Sequence, residues 1–440
     1  MKGKYMPHYA DLLRIGVPIM LGQMGTIVMS FADTVMIGNY GTAELAAAGF
    51  AGNILGLLFI TGLGFSYGLT PVVGALLGEG RTDGIAAKLR SSLVANSAVG
   101  VLLMLVAGAL IAALPWLGLP REVVPLARPY LFVLMVSILP QMAFNAFKQF
   151  SDGIEDTATP MWVMLAANVL NIFGNWVLIY GHFGLPAMGL MGAGIATLLS
   201  RLFQWMLIAM VFHLSHHYDP YRRDFWRARF LLSDLRELFR LGCPLALQIG
   251  METASFSLSA IYVGWLGATA LAAHQVMMTI SQLFFMLYYG MSAAVTVRVS
   301  YYRGAGEPLQ MQRVAHAGLH INWFLALLLS VPMFLLRDRV GLLFTDDVQV
   351  VQLVSTVVLA LLAYQVGDAL QCTYSGVLRG MAIVKPMVWI AFLAYFVISL
   401  PLGYIFGIAC HWGLFGIWLA FPFGLTTAGV LYLRCAQSEK

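Results

Sequence analysis

The sequence predicts an all-α integral membrane protein. Twelve transmembrane helices are expected, in two six-helix lobes related by a pseudo-twofold axis along the membrane normal. Three observations carry this. First, of 440 residues 60% are hydrophobic and only 10% charged, where soluble domains carry about 25% charged residues. Second, the apolar residues fall in long runs, and about 20 apolar residues cross a hydrocarbon core as a helix. Third, the chain repeats itself at one offset. Arg14-Ile-Gly-Val-Pro18 matches Arg240-Leu-Gly-Cys-Pro244, and 244 − 18 = 226. The same spacing relates Gly41 to Gly267, Leu45-Ala-Ala47 to Leu271-Ala-Ala273, Ser66 to Ser292, Gly78-x-Gly80 to Gly304-x-Gly306, and Pro160-Met161 to Pro386-Met387. A six-span half starts and ends on one side of the membrane, so its copy keeps the same orientation. Proteins built this way place substrate near the midplane, within or between the halves.

The runs lie near 13–38, 46–76, 91–114, 130–150, 158–180, 188–213, 238–266, 270–299, 314–336, 350–376, 386–408 and 412–433. The N-terminal MKGKYMPHYADLLR is basic but has no small-residue cleavage site, so the first run is expected to stay as a span. The connections are short except for the polar, Arg-rich stretch from Ser215 to Arg236. It sets the expected division: an N-terminal lobe 1–214, a cytoplasmic linker 215–236 and a C-terminal lobe 237–440. Orientation follows Lys and Arg. With the N-terminus inside, the inner side receives Lys2, Lys4, Arg81, Lys88, Arg90, Lys148, the linker arginines, Arg303, Arg313, Arg379, Lys385, Arg434 and Lys440. The outer side receives only Arg121, Arg128, Arg337 and Arg339. Both termini are therefore expected in the cytoplasm, in a multi-pass protein of the cell (inner) membrane.

The net charge of +5 resides in these loops and does not point to nucleic acid. Cys243, Cys372, Cys410 and Cys435 are scattered, so neither a disulfide framework nor a cysteine metal site is expected.

Function is carried by the few charges inside the runs. A carboxylate at the middle of a span costs at least a few kcal/mol, and such residues handle ions, protons or substrate. Glu252 is the only charge from Gly242 to Leu266, with Gln248 one turn before it and Ser255 three residues after. Asp368 lies in the tenth run, with Tyr364 one turn before and Gln371 three residues after. Asp33 lies in the outer part of the first run, where a carboxylate near the helix C-terminus opposes the dipole, so a plain capping role is disfavoured. Asn168, Asn171 and Asn175 share one face of the fifth run, as ion ligands or as interhelical hydrogen bonds. Thr197 in the sixth run is similar. Arg201 is expected to snorkel to the inner interface. His274, His316 and His320 titrate near neutral pH when unperturbed, and plain hydrogen bonds between helices are expected for them. The 24 Met and 27 Phe suit a pocket for organic cations, or simply helix packing.

PIMLGQMGTIVMSFADTVMIGNYGTAELAAAG and its counterpart GWLGATALAAHQV resemble the multidrug and toxic compound extrusion (MATE) family, NorM-like branch. LLFTDDVQVVQ, VLRGMAIVKPM and the six-plus-six plan add to the likeness, which runs from about Leu12 to Leu433. The resemblance implies a cation-coupled antiporter, not an enzyme, that expels organic cations by alternating access in exchange for Na⁺ or H⁺. By position it implies cation or proton binding at Glu252, Asp368, Tyr364, Asp33, Asn171, Asn175 and Thr197. It implies substrate binding at Asp33, Glu252, Asp368, Gln248 and His274. If the coupling ion is Na⁺, Glu252, Asp368 and Tyr364 are its expected ligands. Some relatives carry an acid where this chain has Asn175, which leaves the first lobe less negative. Apart from the coupling ion no cofactor is expected, and the partners expected are small organic cations and membrane lipid, with the chain a monomer. The alternatives are a lipid-precursor flippase of the same superfamily and, more remotely, an intramembrane aspartyl protease using Asp33 and Asp368. Rhomboid-type serine chemistry is not expected.

Overall fold

The computed structural model describes residues 2–116, 123–226 and 231–438. Arg121, Arg227, Arg229 and Lys440, used above for orientation, lie outside them. The described residues are helical, with no strand among them. Twelve long helices follow in order: α1 Lys2–Tyr40, α2 Thr42–Gly78, α3 Ile85–Ala113, α4 Val124–Gly153, α5 Ala158–Tyr180, α6 Gly189–Leu214, α7 Leu232–Trp265, α8 Ala268–Gly304, α9 Pro308–Leu335, α10 Val348–Gly380, α11 Lys385–Ala409 and α12 Gly413–Ser438. Each contains one of the twelve apolar runs to within one residue, and most extend beyond it by a turn or more. Among the described residues eleven are long and apolar enough to span a membrane. The other is α7, at 34 residues amply long. Gln248, Glu252, Thr253, Ser255, Ser257 and Ser259 interrupt its apolar run.

α11 departs from α-helical winding. It turns as a π-helix over Phe392–Ser399 and again over Ile405–Ala409. Pro401 lies between, without an N–H to donate and with a ring that crowds the preceding turn. Such wide turns occur often at functional sites, and the first contains Tyr395.

The chain forms two compact units that differ from the lobes expected from sequence. One, the N-unit, is Leu21–Ala246; the other, the C-unit, is Met1–Met20 with Leu247–Lys440. The boundaries after 20 and after 246 are again 226 apart. α1 and α7 each begin in one unit and finish in the other. Pro18 and Pro244 sit two residues before each changeover, where each removes one helical hydrogen bond. The leading parts are fixed by ion pairs. In the N-unit, Lys88 of α3 reaches Asp234 at 2.8 Å and Glu237 at 2.6 Å. In the C-unit, Arg298 of α8 reaches Asp11 at 2.8 Å. Asp11 and Glu237 are repeat equivalents, 237 − 11 = 226.

Apolar residues such as Phe31, Leu105, Phe173 and Leu327 are exposed on the helices. The linker is ordered around His216–Tyr218 and a short helix, Asp219–Phe225. Its Tyr218, Tyr221 and Phe225 are buried in the N-unit core. The Tyr218 phenol donates to Asp156 at 2.6 Å. Burial first, and that carboxylate second, push it well above the usual tyrosine range.

Two of the cations assigned above to the inner side are buried among the helices. Lys148 of α4 is buried and pairs with Asp152 at 2.6 Å. Arg379 of α10 is buried and donates to Ser292 of α8 at 2.8 Å. Both helices run past their apolar cores, which brings these residues within the packed ends. Removing one partner of a buried pair costs about 3–5 kcal/mol, while replacing both with apolar groups is often neutral. Thermal unfolding in detergent should therefore find Lys148→Met strongly destabilised. The double variant Lys148→Met/Asp152→Leu should recover most of the loss.

Candidate cation and substrate sites

Each unit holds its own polar cluster. In the N-unit, α1 supplies Asp33, α5 supplies Asn171 and Asn175, and α6 supplies Thr197. The i, i+4 spacing on α5 puts both amides on one face, and the ladder is continuous. Asn175 Nδ2 donates to Asp33 Oδ1 and to Asn171 Oδ1 at 3.2 Å. Asn171 Nδ2 faces Thr197 Oγ1 at 3.4 Å, and Thr197 Oγ1 donates to Ala193 O at 3.0 Å. Both asparagines are fully buried. The amides thus serve as interhelical hydrogen bonds, yet Asn175 Oδ1 is left buried without a donor. Asn168, the third of the stripe, does not join the ladder, and its Nδ2 is buried without an acceptor.

Arg201 does not snorkel. It lies midway along α6, donates to Ser137 Oγ of α4 at 2.7 Å and stacks over the Phe59 ring of α2 at 4.0 Å. The hydroxyl and the ring hold the guanidinium within the helices, where its charge acts on Asp33.

The C-unit cluster centres on α7 and α10. Glu252 Oε2 accepts from Gln248 Nε2 at 3.0 Å. Gln371 of α10 and Tyr395 of α11 stand beside the same carboxylate, although the Tyr395 hydroxyl meets no partner in hydrogen-bond geometry. Asp368 is buried, and its Oδ1 accepts only the weak thiol donor Cys372 at 3.5 Å. Its Oδ2 has no donor. Gln248 Oε1 and Ser255 Oγ are likewise buried and unpartnered. Tyr364 is one helical turn from Asp368, but its hydroxyl accepts from Ser281 Oγ of α8 at 3.3 Å. A tyrosine–aspartate bond is therefore not what occupies Asp368.

His274 is buried, and its Nδ1 accepts from Trp418 Nε1 at 3.1 Å. His320 Nδ1 bonds the Tyr9 hydroxyl at 2.8 Å. These are the plain interhelical bonds expected for histidines. His274 thus belongs to an aromatic wall with Trp418, Tyr364, Phe421 and Phe256.

The structure brings Glu252, Asp368, Gln248 and Tyr364 into one unit, and Asp33, Asn171, Asn175 and Thr197 into the other. Sequence reasoning missed Tyr395, Cys372, Ser281 and Trp418. Hydroxyl, thiol and indole groups are ordinary in apolar runs, and only their placement marks them: Cys372 and Tyr395 beside acids, Ser281 on Tyr364 and Trp418 on His274. Among the described residues no three or more His, Cys, Asp or Glu side chains gather to hold a metal ion. Unpartnered carboxylate, amide and hydroxyl oxygens suit a proton or a hard cation. One Gly-x-Ser-x-Gly run does occur, Gly64-Phe65-Ser66-Tyr67-Gly68. Ser66 there donates to Gly62 O at 3.0 Å and to Asn96 Oδ1 at 2.6 Å, a structural pair buried in the N-unit.

Fold and clusters together define a multi-pass helical membrane protein whose two repeat-related units each enclose acidic groups. The MatE family model matches residues 18–177 and 244–405, two segments whose starts are 226 apart. The chain belongs to the MatE family, whose members are transporters. Solved structures share the fold along nearly the whole chain. A eukaryotic MATE transporter, AtDTX14, is 20% identical with a TM-score of 0.88, covering 98% of this chain and 96% of that one. An outward-facing multidrug resistance MATE transporter of the MOP superfamily is 20% identical, with a TM-score of 0.89 and the same coverage. A MOP superfamily transporter from Pyrococcus furiosus, described as having a binding pocket of reversed polarity, is also 20% identical, at 0.87.

A buried carboxylate oxygen without a donor destabilises the empty fold, since an unsatisfied buried polar group costs about 1–3 kcal/mol or more when charged. Asp368→Asn should therefore unfold at the same temperature as the parent chain or higher. A large drop in thermal stability would mean that the carboxylate is a structural anchor.

Proposed function

We propose that this MATE transporter is a cation-coupled multidrug efflux antiporter of the NorM-like branch. The observation that carries the reading is Asp368 Oδ2, buried and without a donor, in the same cluster as Glu252. Two acids inside one helical unit share too few donors, and the buried Arg379, whose charge acts on Glu252, offsets at most one of them, which leaves a place for a positive charge from outside the protein. A proton, Na⁺ or an organic cation supplies it. Because drug and coupling ion neutralise the same acids, each weakens the other, and that competition is the coupling free energy of exchange.

In this mechanism the coupling cation enters from outside and binds Glu252 and Asp368, with Tyr364 and Gln248 as neutral oxygen neighbours. Na⁺, if it is the ion, takes Glu252, Asp368 and Tyr364 as ligands. Asp33, held by Asn175, serves the N-unit as a second carrier of ion or substrate. His274 and the rings around it form an aromatic flank for cationic, planar compounds. The two units alternate access. The chain works as a monomer in the cell inner membrane with both termini cytoplasmic, with organic cations and lipid as its partners and no nucleic acid.

The test is transport in proteoliposomes. Ethidium movement is measured against separately imposed Na⁺ and H⁺ gradients, with Glu252→Gln, Asp368→Asn and Asp33→Asn. The expected result is gradient-driven exchange that Glu252→Gln or Asp368→Asn reduces at least tenfold while the protein still inserts and stays folded. Dependence on Na⁺ alone assigns the C-unit oxygens as ion ligands; dependence on H⁺ alone assigns the acids as proton carriers. Absence of any gradient-driven cation movement in folded protein, with transport of a lipid-linked precursor instead, overturns the reading in favour of a flippase.

A further inference from the structure

The two units treat one repeat-equivalent place differently. In the C-unit a shallow groove of about 90 Å³ opens where the start of α9 meets the ends of α10 and α12. Its walls include Met311, Gln312 and Ala315 of α9, Tyr374 and Val377 of α10 with Met381 just after it, and Ala436 and Gln437 of α12.

The counterpart in the N-unit is found by close-packed anchors. On α3 and α9 the offset of 226 holds, so Met311, Gln312 and Ala315 correspond to Ile85, Ala86 and Leu89. Gly153 packs on Thr70 O and Val73, and Gly380 packs on Thr296 O and Val299. These glycines are equivalent, 380 − 153 = 227, which pairs Tyr374 and Val377 with Phe147 and Phe150. Gly189-Leu190-x-Gly192 opens α6 as Gly413-Leu414-x-Gly416 opens α12, and Gly189 and Gly413 both have positive φ. There 413 − 189 = 224, which pairs Ala436 and Gln437 with Phe212 and His213.

In the N-unit this place is filled, and by the chain itself. Ile85, Ala86 and Leu89 are fully buried. The linker lays Tyr221 against Phe150, with ring centroids 5.6 Å apart. It sets Tyr218 and Phe225 against Phe212 at 5.6 and 5.5 Å, and Trp226 stacks on His213 at 5.8 Å. The three buried aromatics are spaced i, i+3, i+7. In the C-unit, Val377 and Ala436 stand where the N-unit has Phe150 and Phe212. The pocket is therefore deeper there, and no described segment covers it. Gln312, Tyr374 and Gln437 add hydrogen-bonding groups at positions that are Ala86, Phe147 and His213 in the filled copy.

We propose that the C-unit groove is a docking site for an amphipathic peptide segment presenting aromatic side chains at i, i+3, i+7, the chemistry with which the linker fills its twin. The occupant is a partner segment of that pattern, seated by ring burial against Val377, Met381 and Ala436 and oriented by the two glutamine amides.

The test uses the full chain in nanodiscs and a fluorescein-labelled synthetic peptide of the sequence Ser215–Trp226. Saturable binding is expected by fluorescence anisotropy. It should weaken at least tenfold for a peptide with Tyr218→Ala, Tyr221→Ala and Phe225→Ala. It should weaken equally for proteins carrying Ala436→Trp or, at the exposed position beside it, Gln437→Trp, each checked for an unchanged melting temperature. A benzophenone at the Phe225 position should crosslink within 308–316 or 433–437. The proposal is overturned by equal binding of the alanine peptide, by unaltered binding to both tryptophan variants, or by crosslinks confined to 85–90 and 147–154. It is also overturned if the peptide does not bind while native mass spectrometry finds a lipid that Ala436→Trp displaces.

Discussion

Everything in this molecule answers to one constraint: inside a bilayer a polar group has no water and must find its partner in the protein. The helices satisfy their own backbones, and many side-chain polar groups within them are tied to a carbonyl of their own helix, as Thr197 is to Ala193, or to a neighbouring helix. Asn171 is bonded to Asn175 and Thr197, Trp418 to His274, Arg201 to Ser137, Arg379 to Ser292. Against that background the failures of satisfaction carry the information. Asp368 Oδ2, Gln248 Oε1, Ser255 Oγ and Asn175 Oδ1 are acceptor oxygens left without donors, and they lie in the two clusters that contain the acids. Other buried oxygens without donors, such as Asp152 Oδ1 and Asn322 Oδ1, lie outside these clusters, so it is the combination with Glu252, Asp368 and Asp33 that sets the clusters apart.

The internal repeat supplies the frame in which those exceptions sit. Pro18 and Pro244, Asp11 and Glu237, and the boundaries of the compact units all obey the same spacing. The chemistry has diverged on that frame. The N-unit acid is on α1 and leans on an asparagine ladder, while the C-unit acids are on α7 and α10 among tyrosines, glutamines and a thiol. The grooves have diverged too, one filled by linker aromatics and one open. Duplication conserved the backbone packing that glycines such as Gly153 and Gly380 permit, and left the side chains free to specialise.

Much of the candidate site was readable in advance. Glu252, Asp368 and Asp33 stand out because a charge inside an apolar run is costly wherever it points. Arg201 was expected at the interface, and the burial of Lys148 and Arg379 was not foreseen, for the complementary reason. A long cation near a helix end either reaches water or folds inward, and one-dimensional spacing does not distinguish these outcomes. A buried hydroxyl, ring or aspartate partner decided each case.

By itself the sequence determined the class of protein, the twelve helices, the duplication and the acids, because these depend on composition, run length and period, which are local properties of the chain. Only the tertiary structure decided the rest. It placed Tyr395 beside Glu252 through a π-helical turn, gave Tyr364 to Ser281 rather than Asp368, cut the units after residues 20 and 246, and drew the linker into one groove while leaving its twin open. Each of these depends on which helices touch, and contact between helices far apart in sequence is set by the packing of many side chains at once.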